Sequence, residues 1–169
     1  IEQVLQLKNF IRKINMESNI NLKSKKFSRD LINNLKIKTN FAYGRMNYVK
    51  EFSISDNNFK CEGDINLLEE YPLLFFNCSI EAKDKRKFLR EFSIKIKNEN
   101  ENLKLNIKGN LSLLNKKINF KEIIMNQTYN ATKEDLEYFK LNFEKIFFDK
   151  SLIEMFDKKK IKEFIIEIS

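Results

Sequence analysis

Leu103-Lys104-Leu105-Asn106-Ile107-Lys108-Gly109-Asn110-Leu111-Ser112-Leu113 is the stretch on which the reading of this chain turns. Apart from Gly109, its odd positions are apolar, and all its even positions are polar. A period of two places one set of side chains on a core and the other in water, so the segment reads as a strand of a one-sided sheet. Glycine weakens a strand interior, so Gly109 predicts a kink or bulge there. The same combination recurs at Tyr43-Gly44-Arg45-Met46-Asn47-Tyr48 and at Cys61-Glu62-Gly63-Asp64-Ile65-Asn66-Leu67-Leu68. These three segments hold all 3 glycines of the chain. A residue costly to strands is thus kept for one recurring place, as in a curved antiparallel β-meander built from similar units.

Alternation extends outward from these segments. Ile14, Met16, Ile20 and Leu22 follow it, then Leu35, Ile37, Thr39 and Phe41, then Met46, Tyr48, Phe52 and Ile54. Ser55-Asp56-Asn57-Asn58 reads as a turn. Phe59, Cys61, Gly63, Ile65 and Leu67 share the next face. Leu68–Pro72 is a turn ending at the only proline, and Leu74, Phe76, Cys78, Ile80 and Ala82 return on one face. Phe92, Ile94 and Ile96 predict a further strand. After a turn at Asn115-Lys116-Lys117, Ile118-Asn119-Phe120 leads on to Ile123–Met125. The stretch 23–34 is polar and follows no period.

Helical spacing appears at three places. Ile1, Val4, Leu5, Lys8 and Ile11 predict a helix over residues 1–13. Asp84 is placed to cap a short helix over 85–91, with Phe88 and Phe92 on one side. From Thr132 a capping-box pattern, with Asp135 at its third position, opens a stripe of Leu136, Phe139, Phe143, Ile146 and Phe147. A second capping box at Ser151–Glu154 starts a further helix, with a break near Asp157 and an apolar face of Ile161, Phe164, Ile165 and Ile168. The fold class expected is α+β: a curved antiparallel β-meander with an apolar concave face and helices near both termini. Its divisions are an N-terminal helix over 1–13, a sheet or groove region over 14–126, and a helical segment over 131–169.

Composition limits the function. The 169 residues include no histidine, which removes the usual general base, metal ligand and pH switch. Two cysteines cannot build a zinc site alone. Glu69-Glu70 has no second carboxylate pair to work with, and glycines this far apart cannot form a phosphate-cradling loop. The expectation is no enzyme, no metal and no cofactor. The formal charge of +8 raises a basic nucleic-acid-binding module as an alternative. Aromatic residues do interleave with basic ones at Phe41, Tyr43, Arg45 and Tyr48, as in a stacking platform; however, the lysines are spread among acids, and most aromatics obey the inward alternation, which makes them core or groove. No nucleic acid is therefore expected as a partner. No run reaches the length of a membrane span.

Cys61 and Cys78 lie on successive strands, on the same apolar face. Directly opposed antiparallel residues share a face. Cys61 therefore opposes either Cys78, which permits a cross-strand disulfide in an oxidising compartment, or Ile80, which leaves two small buried thiols. The apolar stripe as a whole also has two readings. It is either a core covered by the terminal helices or a groove left open for acyl chains.

The arrangement resembles the carboxy-terminal region of AsmA-family proteins, which are related to TamB and other repeating β-groove lipid transporters. The residues that carry the resemblance are Phe41–Tyr48, Gly63–Leu68 with Pro72–Phe76, Ile107–Leu111, and Leu114–Lys121 followed by helices. The resemblance implies a periplasmic segment anchored in the inner membrane through an upstream helix. It also implies a non-enzymatic role in moving phospholipid towards the outer membrane, with acyl chains and envelope membranes as partners. No catalytic residue is carried over. On this reading the lipid groove consists of Phe59, Ile65, Leu67, Leu74, Phe76, Ile80, Leu103, Leu105, Ile107, Leu111, Leu113, Ile118 and Phe120, with flanking lysines meeting head groups. The other alternative is a structural or assembly domain of the envelope whose apolar face is fully covered.

Overall fold

A computed structural model describes residues 2–23, 34–54, 57–95, 101–112, 114–148 and 158–167. After helix α1 (Glu2–Lys13) come five strands: β1 (Asn15–Lys23), β2 (Asn34–Ala42), β3 (Arg45–Ile54), β4 (Asn57–Asn66) and β5 (Leu73–Ala82). Helix α2 (Lys85–Glu91) precedes β6 (Leu103–Ser112), β7 (Lys117–Met125) and β8 (Tyr129–Asn130). Helices α3 (Lys133–Phe147) and α4 (Lys158–Glu167) complete the described chain. The strands lie side by side in sequence order, each antiparallel to the next, in one open, curved eight-stranded sheet. The expected fold class is therefore the one observed. Its two edges differ: β1 offers a nine-residue rim, whereas β8 is two residues long and runs into α3.

The register sorts the strands into two faces. One face carries Met16, Ile20, Leu22, Leu35, Ile37, Phe41, Met46, Phe52, Phe59, Ile65, Leu74, Phe76, Ile80 and the odd-numbered apolar residues of β6. The other carries mainly lysine, asparagine and glutamate. In β7 the alternation slips once. Lys108 pairs with Glu122 but Gly109 pairs with Phe120, so Lys121 is an extra, bulged residue. The slip puts Ile118 and Phe120 on the apolar face together with Ile123 and Met125.

The glycines do not all serve one purpose. Gly44 is not a strand kink. Ala42 pairs with Arg45, and the two residues between them have positive φ, 50° at Tyr43 and 80° at Gly44, which is a type I′ hairpin turn. Gly63 marks a break in the β4–β5 ladder, where pairing stops at Glu62–Asn77 and resumes at Ile65–Leu74. The Phe75 carbonyl oxygen leans into the space a Cβ on Gly63 would occupy, with its carbonyl carbon 2.8 Å from that position. Tyr48, the β3 partner of Gly63, donates its hydroxyl to this oxygen at 3.3 Å. The break is therefore occupied by a backbone group with its own hydrogen-bond donor.

The helices cover the later strands. Phe88, Leu89 and Phe92 pack with Ile54, Ala82 and Leu103, and Ile161 and Ile165 of α4 join them. Leu136, Phe139 and Phe143 of α3 pack on Leu111, Ile118, Phe120 and Ile123. Both caps are as expected from sequence. The Asp84 carboxylate accepts from Lys87 N–H, and Thr132 with Asp135 forms the reciprocal capping box of α3.

Two boundaries differ from expectation. Residues 92–95 form no strand. Phe92 N–H and Ile94 N–H donate to the Leu89 carbonyl, and Ser93 N–H donates to that of Arg90. The end of α2 thus takes up the amide groups a ladder would need, while Phe92 and Ile94 still turn inward; Ile96 lies outside the described residues. Strand β4 begins at Asn57, inside the expected turn, because the Asn57 side chain donates to the Ile54 carbonyl at 2.9 Å and closes the hairpin. The unperiodic stretch 24–33 and the capping box at 151–154 lie outside the described residues.

Candidate functional site: the uncovered half of the apolar face

The residues expected to form the groove share the apolar face, but most are covered. Ile65, Leu103, Leu111, Ile118 and Phe120 are buried. Leu74, Phe76, Leu105 and Ile107 pack into the cluster beneath α3, and Phe59 and Ile80 into the cluster beneath α2. Leu67 lies past the end of β4, where its N–H donates to the Gly44 carbonyl at 2.9 Å. Leu113 lies outside the described residues.

The uncovered part is the other half of the same face, on β1 to β3. Met16, Ile20 and Leu22 are 55%, 45% and 51% exposed. Leu35, Ile37, Phe41 and Met46 are only partly covered. These residues follow the alternation in the sequence, but the expected groove did not include them. Whether helices cover a strand depends on where distant segments dock, and the periodicity of the strand itself carries no such information.

Cys61 and Cys78 are directly opposed, with Cα atoms 4.0 Å apart, and are joined as a disulfide. They sit in one cross-strand row: Ile20, Ile37, Lys50, Cys61, Cys78, Ile107 and Ile123. Lys50 is the one charged side chain the register puts on the apolar face among the described residues of β1–β7. Its ammonium lies 5.3 Å from the centre of the Phe52 ring, and burial pushes its pKa below the ordinary lysine value. In the adjoining row, Ser18 pairs with Thr39 and Thr39 with Tyr48. Burial, and then the charge of Asp64, raise the Tyr48 pKa. The sequence held one signal for this site: a lysine at an inward position between Tyr48 and Phe52.

A hollow lies at the end of the strands that carries Leu22, Leu35, Phe52 and Phe59. It has a volume of about 1040 Å³ and is bounded mainly by polar-face residues, among them Lys36, Glu51, Lys60 and Ser79 in one row. On that face lysines alternate with acids, and pairs form at Lys60–Glu62 (3.0 Å), Lys104–Glu81 (3.3 Å) and Lys108–Glu122 (2.6 Å). Among the described residues no group of three or more acidic or cysteine side chains could hold a metal ion. No described helix is long and apolar enough to cross a membrane.

Neither family models, curated proteins nor solved structures provide a match to this chain. The likeness to the AsmA family therefore rests on the motifs quoted from the sequence.

Proposed function

We propose that this chain is a non-enzymatic segment of an AsmA-like envelope protein, and that its apolar sheet face binds phospholipid acyl chains in transit between the inner and outer membranes. The supporting observation is the uncovered half of that face, where Met16, Ile20 and Leu22 stand about half exposed beside partly covered Leu35, Ile37 and Phe41. Exposed contiguous apolar surface marks an interaction site. Acyl chains require only such surface, at about 0.8 kcal/mol for each methylene buried. On this reading the residues under α2 and α3 act as a rigid backing, and β1–β3 make the contact. The interleaved acids on the lysine face weigh against a nucleic-acid interface, which needs an unneutralised basic stripe.

The test is purification from bacterial membranes followed by lipid extraction and mass spectrometry, repeated for Ile20→Asp and Ile37→Asp variants with unchanged circular dichroism. Co-purifying phospholipid that is lost in both variants is the expected result. A lipid-free protein that also fails to take up phospholipid from vesicles overturns the reading. It would leave a covered assembly surface as the role of this face.

A further inference from the structure

We propose that the chain forms a two-fold symmetric dimer in which β1 of one copy adds antiparallel to β1 of a second, joining two eight-stranded sheets into one. The inference goes beyond the acyl-chain reading and does not depend on it. Natural sheets blunt their edge strands with prolines, bulges, short length or inward-pointing charges. β1 uses none of these. It has nine residues, pairs with β2 in nine unbroken steps and contains no proline. All its residues except Ser18 are exposed, and its outward backbone groups have no ladder partner among the described residues. Its positions on the apolar face are Met16, Ser18, Ile20 and Leu22, with no charge among them. Its two charged residues, Glu17 and Lys23, both lie on the polar face.

The strand is complementary to itself. Directly opposed antiparallel residues share a face, so the two-fold axis must pass through one residue of β1. With the axis at Ile20, Glu17 of each copy stands opposite Lys23 of the other, which gives two opposite-charge pairs on the polar face. Asn19 stands opposite Asn21, where the amide side chains can exchange hydrogen bonds. On the apolar face Ile20 meets its own copy, and Leu22 lies across from Ser18. An axis at Asn19 or Asn21 loses both direct charge pairs. The Glu17 carboxylate accepts from the Asn40 side-chain amide at 3.3 Å through one oxygen, and its second oxygen can accept from the lysine. Pairing also brings together the half-exposed Ile20 and Leu22 of both copies, so that the open apolar surface runs on from one sheet into the other. One strand pair is a small interface, which puts the dissociation constant in the micromolar range.

Analytical ultracentrifugation of the intact chain provides the test and should show a concentration-dependent dimer. Glu17→Lys and Lys23→Glu each turn two attractive pairs into repulsive ones, and each should weaken the dimer at least about tenfold. The double variant Glu17→Lys/Lys23→Glu should restore it. The two single variants shift net charge in opposite directions, so a loss in both is not a net-charge effect. All these positions are exposed, and circular dichroism should match wild type. Under mild oxidation Ile20→Cys should cross-link to its own copy, whereas Ser18→Cys, which lies opposite residue 22 of the second copy, should not. A chain that stays monomeric at about 100 μM overturns the proposal and leaves the rim to an extended segment of another protein. A dimer that both single variants leave intact has its contact elsewhere and overturns it too. Cross-linking at Ser18 in preference to Ile20, or assembly beyond two copies, does the same.

Discussion

Replacing Gly63 with alanine adds one methyl group where the Phe75 carbonyl already sits. The new Cβ collides with that oxygen, lies 2.8 Å from the carbonyl carbon and lies 3.1 Å from Phe76 Cα. All three atoms are backbone, so relief requires β5 to move against β4. Overpacking of this kind costs about 1–3 kcal/mol, and a rigid obstacle puts Gly63→Ala at the upper end. Displacing the Phe75 carbonyl also loses the Tyr48 hydrogen bond, about 1 kcal/mol. Against this, alanine is better than glycine in a strand by roughly 0.5–1 kcal/mol. The net loss is about 3 kcal/mol, which lowers the melting temperature by roughly 6–12 °C for a chain of this size. Urea unfolding followed by circular dichroism measures it. Gly44→Ala is the internal control: there the Cβ meets only the flexible Leu68 side chain, and the φ of 80° costs about 1–2 kcal/mol. A Gly63→Ala protein within about 0.5 kcal/mol of wild type would refute the close approach. So would one less perturbed than Gly44→Ala.

Three other outcomes are expected. Thiol titration of the unfolded protein without reductant should find no free cysteine, and Cys61→Ala/Cys78→Ala should cost about 3 kcal/mol given the sequence separation of 17; two titratable thiols in a correctly folded oxidised sample would contradict the bond. Leu111→Ala, in the core beneath α3, should cost about 2–5 kcal/mol, whereas Ile20→Ala on the open half should cost well under half as much; equal losses in chemical denaturation would mean β1 is as covered as β6. The Asp135 carboxyl is held below the usual carboxylate range first by the Thr132 backbone N–H, then by the Tyr129 and Thr132 hydroxyls. A lowered folded-state pKa contributes stability above the ordinary carboxyl value and loses it as the pH falls through the lowered one. Stability should therefore decline on acidification through that window, and Asp135→Asn should flatten that part of a pH-resolved unfolding series; an unchanged slope would remove the cap from the account.

Where a structural element depends on its own neighbours, the sequence was a good guide. The period-two runs became β1–β7, and Asp84 and Thr132 each cap the helix they precede, because strand faces and caps are set within a few residues. The opposition of Cys61 and Cys78 was one of two registers the alternation allowed. The choice between them came from the connection between Asn66 and Leu73, whose length no period measures. At Phe92 and Ile94 the alternation is ambiguous. Their alternation suits a strand as well as a helix end whose inward positions are apolar, and the amide partners at Leu89 and Arg90 decide for the latter. The candidate site was the least legible. Phe76 and Ile20 carry the same apolar signature, and only the docking of α3 makes one a core residue and the other a surface residue.

The unequal flanks of the sheet give it a direction of growth. The outward amides and carbonyls of Asn15–Lys23 have no ladder partner among the described residues, whereas Tyr129–Asn130 runs at once into the capped start of α3. Any ribbon annealing to this molecule would thus meet a template at its leading border and a stop at the trailing one. Two copies of the chain could therefore join only head to head, through Asn15–Lys23 of each, and such a pair would leave no open border for a third.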